Sequence, residues 1–133
     1  MNVSDNEFLK KIELDYLTVY LLENNIIKMV VREKSIIGIN EVKEIQKVKR
    51  ELIGDQKHSV IFITPKHGSM TTEARDYSAT HDVTMNAKGK AIVLNGMALR
   101  IVTNFFIRFN KPQVEHRAFE NEKEAMDWLQ SLK

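Results

Sequence analysis

The chain has 133 residues, 43% of them hydrophobic and 29% charged, which is the balance of one globular domain. Its formal net charge of +2, from 20 basic and 18 acidic residues, is too small for the electrostatic surface of a nucleic-acid-binding protein. Cysteine is absent, which excludes a disulfide framework and a thiolate nucleophile. Because signal-peptide and membrane-spanning patterns are also lacking, we expect a cytoplasmic protein that is neither secreted nor membrane-embedded.

The first part of the chain predicts a β-hairpin followed by a helix. β-Forming residues fill 12–23, and a second such run, IIKMVVRE, follows Asn24 and Asn25, which tolerate positive φ in a tight turn. Asn40 is then a candidate N-cap for a helix that ends at Gly54. The apolar side of this helix carries Val42, Ile45, Val48 and Leu52.

The middle of the chain predicts two buried strands on either side of a short helix. SVIFIT, residues 59–64, is a continuous apolar run of the kind found in strands covered on both faces. After a loop, Thr71 or Thr72 is expected to cap a short helix. The residues turned inward on that helix are Ala74 and Tyr77. HDVTMNAKG is expected to be an irregular connection, and KAIVLNG, residues 90–96, to be the second strand.

LRIVTNFFIRFNKP, residues 99–112, predicts a helix with two different faces that stops at Pro112. The apolar face carries Ile101, Val102, Phe105, Phe106 and Phe109, and the opposite polar face carries Arg100, Thr103, Asn104, Ile107 and Lys111. Since both faces cannot be buried, the apolar face is expected to pack on the core. The outward residues Arg100, Asn104, Ile107 and Lys111 are then a candidate partner surface. A solvated helix face is the alternative.

The end of the chain predicts one more strand and one more helix. QVEHRAF is typical of an exposed final strand, and Asn121 with Glu124 three residues later is a capping-box pattern. The apolar residues of the last helix are Ala125, Trp128, Leu129 and Leu132. The whole order is ββαβαβαβα. It predicts an α/β fold with one mostly parallel sheet, an N-terminal antiparallel hairpin strand and about four helices. We expect a single domain over 1–133, with 1–11 a flexible or short helical N-terminus.

No motif of the sequence predicts a catalytic or metal site. The four histidines, at positions 58, 67, 81 and 116, lack the spacing of metal ligands. His81 and Asp82 could form an acid-base pair, but adjacent residues seldom face each other. The isolated glycines form no phosphate-binding loop, and no cofactor is expected. An enzyme would require His81 or His116 in a pocket beside a carboxylate.

HGSMTTEA places Ser69, Thr71 and Thr72 where a loop enters a helix at the carboxyl end of a buried strand. Helix N-termini favour negative charge, so these three residues form a candidate phosphorylation segment. Capping alone is the alternative, because Ser and Thr are common N-caps in proteins of any function.

Three segments, TTEARDY, AIVLNGMALRIVTNFFIRFNKP and RAFENEKEAMDWL, together with the order of elements, resemble the STAS-like domains. This is the superfamily of bacterial anti-sigma factor antagonists, and the likeness is to a small-protein branch related to CRAL-TRIO lipid-binding domains. It runs from about residue 13 to the end and is best over 71–130. The resemblance implies a non-enzymatic regulator or binding module whose strand-loop-helix segment meets a partner.

The chain departs from the antagonists at the loop that carries their phosphorylated residue. An Asp usually closes the strand before that loop, whereas Thr64 and Pro65 stand here, followed by Lys66 and His67. The Ser-Gly signature of the antagonist loop is also missing. The resemblance therefore carries over the segment and not a particular phosphorylation site.

Two functions remain as alternatives after this comparison. The first is a regulatory module that binds another protein. The second is binding of a lipid or small apolar ligand between a helix and the sheet, as the CRAL-TRIO relation implies. Nucleic acid is not an expected partner. The oligomeric state is open, with a dimer through an outer helix or through the free edge of the hairpin as one option.

Overall fold

The computed structural model describes residues 8–94, 101, 107–108 and 114–132, without the side chains of His81 and Asp82. The main sheet contains β1 (Lys10–Glu13), β2 (Leu17–Leu22), β3 (Ile26–Val31), β5 (His58–Ile63), β7 (Ala87–Val93) and β8 (His116–Phe119), and a two-stranded sheet contains β4 (Ile36–Ile37) and β6 (Ser69–Met70). The helices with described bounds are α1 (Ile39–Ile53), α2 (Thr72–Ser78), α3 (His81–Thr84) and α4 (Glu122–Ser131).

The predicted α/β sheet is confirmed. The strand order is β1-β2-β3-β5-β7-β8; β1, β2 and β3 pair antiparallel, while β3, β5, β7 and β8 pair parallel. Parallel neighbours require a crossover connection, which α1 provides between β3 and β5 and α2 with α3 provide between β5 and β7. Among the described residues, no helix is long and apolar enough to cross a bilayer.

The hairpin between β2 and β3 turns at the two predicted asparagines. Asn24 and Asn25 have φ values of 62° and 55°, which asparagine adopts more readily than most residues. The expectation of one strand over 12–23 is wrong, because the chain reverses between β1 and β2. Lys10 and Lys11, expected in a flexible or helical N-terminus, belong to β1. A short, largely exposed edge strand has little apolar alternation by which its sequence could reveal it.

The sheet has two buried faces, and we name each one after the helix that covers it. On the α1 face, strand residues that include Leu17, Val19, Ile27, Met29, Val60 and Phe62 pack with Val42, Ile45 and Val48 of α1. On the α4 face, Tyr20, Ile61, Ala91 and Val93 pack with Ala125 and Leu129 of α4. Successive residues of a strand point to opposite faces. The prediction that SVIFIT is covered on both faces is therefore confirmed.

The helix ends agree with the sequence at three of four predicted caps. Gly54 follows α1 with a φ of 58°, Thr71 Oγ1 accepts the Ala74 N–H of α2 at 3.1 Å, and Asn121 Oδ1 accepts the Glu124 N–H of α4 at 2.8 Å. The fourth cap, Asn40, is wrong. It lies inside the first turn of α1, which the Gly38 N–H closes by donating to Glu41 Oε1 at 2.7 Å.

The connection predicted for HDVTMNAKG contains more regular structure than expected. It includes α3, a single helical turn, and β7 begins at Ala87, three residues before the predicted strand. Val83 of α3 is buried in the core of the α1 face, and this tertiary contact accounts for a turn that local propensity does not favour.

Candidate ligand-binding site

A cavity of about 240 Å³ lies on the α1 face, beside α2 and near the carboxyl ends of β3, β5 and β7. Its apolar walls include Val31, Ile37, Phe62, Met70, Ile92 and Leu94, and its polar lining includes Thr64, Ser69, Arg75, Ser78, Lys90 and His116. A second cavity of about 40 Å³ shares several of these residues and extends to Lys49 of α1. The carboxyl ends of parallel strands are a common position for ligands in α/β proteins.

Strand register places two of the basic lining residues side by side. Lys90 of β7 is the register partner of His116 of β8, and residues two apart on β7 share a face, so Ile92 lies next to Lys90. The fully buried residues of α2, Ala74 and Ser78, are small, whereas Tyr77 is partly buried against the core, as expected from the sequence, and Arg75 lines the cavity. The cavity lies between this helix and the strands.

Lys90 is a cation in mostly apolar surroundings. Its Nζ lies 4.8 Å from the centroid of the Phe62 ring, close enough for a cation–π interaction. Burial lowers the pKa of the Lys90 ammonium from 10.5 to about 8, because a charge is poorly solvated there. Among the described residues, neither cavity has an Asp or Glu in its lining.

His116 is almost completely buried, with 6% of its surface exposed. Its Nδ1 lies 2.9 Å from the Val114 carbonyl oxygen, so we assign the ring proton of the neutral form to Nδ1. Nε2 then carries the lone pair, and it is buried with no hydrogen-bond partner in the described part of the chain. Burial, and after it the charge of Lys90, lowers the pKa of His116 from 6.5 to about 4.

Two more basic side chains lie close to this pair. Lys49 of α1 is buried and donates from Nζ to the Val83 carbonyl oxygen at 3.3 Å. Burial and the charge of Lys90 lower the pKa of Lys49 to about 8. His58 is also buried, and burial, followed by the charge of Lys49, lowers its pKa. We call Lys49, His58, Lys90 and His116 the basic cluster. The charges of Lys49 and Lys90 repel each other, so the cluster favours an anion.

The predicted phosphorylation segment lies beside the larger cavity. Ser69 is exposed in β6 and contributes to the cavity lining, Thr71 is the N-cap of α2, and Thr72 is the exposed first residue of that helix. Whether any of them is phosphorylated stays a prediction. The loop before β6 is held by Glu33, whose carboxylate accepts the Lys66 backbone N–H at 3.2 Å.

The predicted partner surface on 99–112 falls mainly outside the described residues, which include neither Arg100, Asn104 nor Lys111. Ile107 was expected to point outward, but it is partly buried against Ile92, Leu94 and Ala118. Ile101, expected to pack inward, is 62% exposed. The predicted inward and outward sides are therefore wrong for both Ile101 and Ile107. Apolar residues occur almost all round the segment, so its periodicity could not fix which side faces the sheet.

An enzyme was expected to need His81 or His116 in a pocket beside a carboxylate, and the described residues meet only the first half of this condition. His116 does line a cavity, but no carboxylate of the described chain accompanies it there. The side chain of His81 lies outside the described part. Within the same part of the chain, no group of three His, Cys, Asp or Glu residues is arranged to hold a metal ion.

Sequence reasoning missed Lys49 and Lys90, although each leaves a signal. Lys49 stands seven residues after Val42 and four after Ile45, where the apolar side of α1 continues. Lys90 stands directly before the buried run Ala91, Ile92 and Val93 of the same strand. A lysine at a position that should be apolar is rare without a partner or a function. Both residues could have been named on that ground.

The sequence model of the family Domain of unknown function (DUF7793) matches residues 20–133. No curated protein matches the chain. Among solved structures, the fold is similar to that of an uncharacterized protein from the DUF3478 family with a SpoIIAA-like fold from Shewanella loihica PV-4, with a TM-score of 0.59 and 14% identity. The match covers 85% of this chain and 91% of that chain. At this identity the likeness concerns the fold alone, and it agrees with the STAS-like architecture expected from the sequence.

Proposed function

We propose that this chain, which belongs to the DUF7793 family, is a non-enzymatic regulatory module that binds another protein. The SpoIIAA-like fold is compatible with this function, and the resemblance to STAS-like domains implies it. In those domains a strand-loop-helix segment meets the partner. The corresponding segment here runs from β5 through β6 into α2. A cytoplasmic location, expected from the composition, belongs to the same proposal.

The observation that carries the proposal is an exposed apolar side chain beside that segment. Ile36 of β4 is 67% exposed, and its register partner in β6 is Ser69. A two-stranded sheet has free edges, and an apolar residue there suits contact with another chain. We define the β4–β6 surface as Ile36, Ser69, Thr71 and Thr72. Phosphorylation of one of its hydroxyls would add negative charge next to Ile36 and so change the surface it offers.

The test compares two substitutions at exposed apolar residues. Ile36→Asp should leave the free energy of unfolding within about 0.5 kcal/mol of the wild type, as for most surface changes. It should also abolish recovery of a protein that the wild-type chain captures by crosslinking in its source cells. Met85→Asp is the matched control, since Met85 is 50% exposed in the turn before β7. If the captured protein is lost with both variants or with neither, the β4–β6 surface is not the partner site.

The second candidate is binding of a small apolar ligand between α2 and the sheet. The cavity of about 240 Å³ favours it, because small-molecule sites are concave and mostly apolar with a few polar groups in the lining. Native mass spectrometry of gently purified protein is the direct measurement. A reproducible ligand mass supports this function, and repeated detection of the ligand-free chain alone counts against it.

A further inference from the structure

We propose that the cavity on the α1 face binds a small apolar carboxylic acid, with its head group between Lys90 and His116. This inference rests on the second proposed function and names the ligand class. The argument uses the size of the cavity, the sign of its charge and the unpartnered nitrogen of His116.

The volume matches a small molecule. A cavity of about 150 Å³ accommodates benzene, so one of about 240 Å³ suits about ten non-hydrogen atoms. An eight-carbon fatty acid or an aromatic acid has this size, whereas a diacyl lipid is far larger. The apolar part of such an acid would contact Phe62, Ile92 and Leu94, which lie on the strands beneath α2.

The charge of the lining selects an anion. Lys90 and Arg75 line the larger cavity and Lys49 lines the smaller one, with no Asp or Glu among the described lining residues. The repulsion between Lys49 and Lys90 adds to the effect of burial on the pKa of Lys49. A bound carboxylate would supply the missing counter-charge and form a charge-assisted hydrogen bond with Lys90 Nζ.

His116 supplies a second, directional contact. Because its Nδ1 proton is used on the Val114 carbonyl, Nε2 has a lone pair that no donor among residues 8–94, 101, 107–108 and 114–132 bonds to. A carboxylate meets this nitrogen with one added proton shared between them, either as imidazolium and carboxylate or as imidazole and carboxylic acid. The proton comes from solvent, so binding at neutral pH is coupled to proton uptake. The other charged groups facing this position are Lys49, Lys90 and Arg75.

The experiment compares octanoate with octanamide, which has the same chain and a neutral head group. Titration calorimetry at pH 7 should give at least about tenfold tighter binding of octanoate, as expected for a hydrogen bond to a charged group. Repeating the titration in buffers of different ionisation enthalpy should give an uptake of about one proton per octanoate. Both measurements use the wild-type chain and do not depend on how a variant folds.

Two variants then test the residues. Lys90→Met should weaken octanoate binding at least about tenfold and leave octanamide binding within about threefold. Lys88→Met is the matched control, because Lys88 lies on the same strand but does not line the cavity. His116→Leu should remove the proton uptake.

The outcomes distinguish a failure of this inference from a failure of the second proposed function, on which it rests. If octanamide binds as tightly as octanoate, the cavity holds apolar molecules but the carboxylate site is wrong. If wild type and Lys90→Met bind octanoate equally tightly, the carboxylate site is also wrong. If neither probe binds the wild-type chain, both the inference and the second proposed function are wrong, while the proposed protein partner is unaffected.

Discussion

The two faces of the sheet differ in whether an inward-facing lysine has a carboxylate partner among the described residues. On the α4 face, Lys28 Nζ lies 2.8 Å from Glu122 Oε2, and both side chains are about nine-tenths buried. On the α1 face, Lys90 lies over the Phe62 ring in a lining whose described residues include no carboxylate. The packed face therefore neutralises its lysine charge within the fold, whereas the cavity face leaves its charge for a ligand. The α4 face therefore pairs its lysine with a carboxylate for stability, while the α1 face is the one on which we propose binding.

The largest expected effect comes from removing each lysine charge in turn. Lys28→Met should lower the free energy of unfolding by about 3 kcal/mol, because the buried Glu122 carboxylate would lose the Lys28 ammonium. Lys90→Met should raise it by about 1–3 kcal/mol at pH 7, because the folded state no longer holds a poorly solvated ammonium. Urea denaturation of the wild type and both variants measures the two changes in the free energy of unfolding. If both variants are less stable than the wild type, the claim that Lys28 stabilises the fold while Lys90 destabilises it is wrong.

Acid should act on the cavity face through His116. Its pKa is about 4 in the folded chain, against an ordinary value of 6.5 that applies once the chain unfolds, so the unfolded chain binds more protons between these values. The free energy of unfolding that depends on neutral His116 is fully present above pH 6.5. It falls by up to about 3 kcal/mol as the pH falls towards 4. Lys49 and Lys90, whose pKa values are about 8, are cationic throughout this range, and Arg75 also lines the larger cavity.

Denaturation curves at several pH values measure this loss. His116→Leu should flatten the difference in stability between pH 6.5 and 4 relative to the wild type. His67→Leu is the control, because His67 and its contact with Glu33 lie at the surface, and the change should alter stability by no more than about 1 kcal/mol. An unchanged slope in His116→Leu would show that other groups govern the acid response.

The smallest effect should come from adding volume to each face. Ala125 of α4 is completely buried in a filled region, so Ala125→Met should cost about 1–3 kcal/mol through overpacking. Ser78 of α2 lines the cavity, so Ser78→Met should be neutral or stabilising by up to about 1 kcal/mol, since methionine can fill an irregular space. Thermal melts of the two variants provide the comparison. Equal destabilisation would mean that the space beneath α2 is not available to a side chain.

The sequence predicted the architecture well because local signals and burial agree along most of it. Asn24 and Asn25 mark the hairpin turn, Gly54 ends α1, and the apolar run of β5 matches a strand covered on both faces. Where such signals were weak, prediction failed. β1 has little apolar alternation, and the turn of α3 depends on the burial of Val83.

The candidate site was predictable only in part, because it depends on contacts between distant segments. Ser69, Thr71 and Thr72 could be placed at a loop entering a helix, and the structure puts Ser69 in the cavity lining. The pairing of Lys90 with His116 needs the register of β7 and β8, which no local pattern encodes. The empty space beneath α2 likewise follows from how helix and sheet meet, not from the composition of either.

The order of the strands in the main sheet also bears on how the chain folds during synthesis. From β1 to β8, every strand of the main sheet lies next to the one that precedes it in that sheet along the chain. Each newly synthesised strand therefore finds its neighbour already made, and the β2–β3 hairpin can form first from local contacts. The cavity residues on β7 and β8 join the sheet last, so the cavity is expected to form only after the earlier strands have paired.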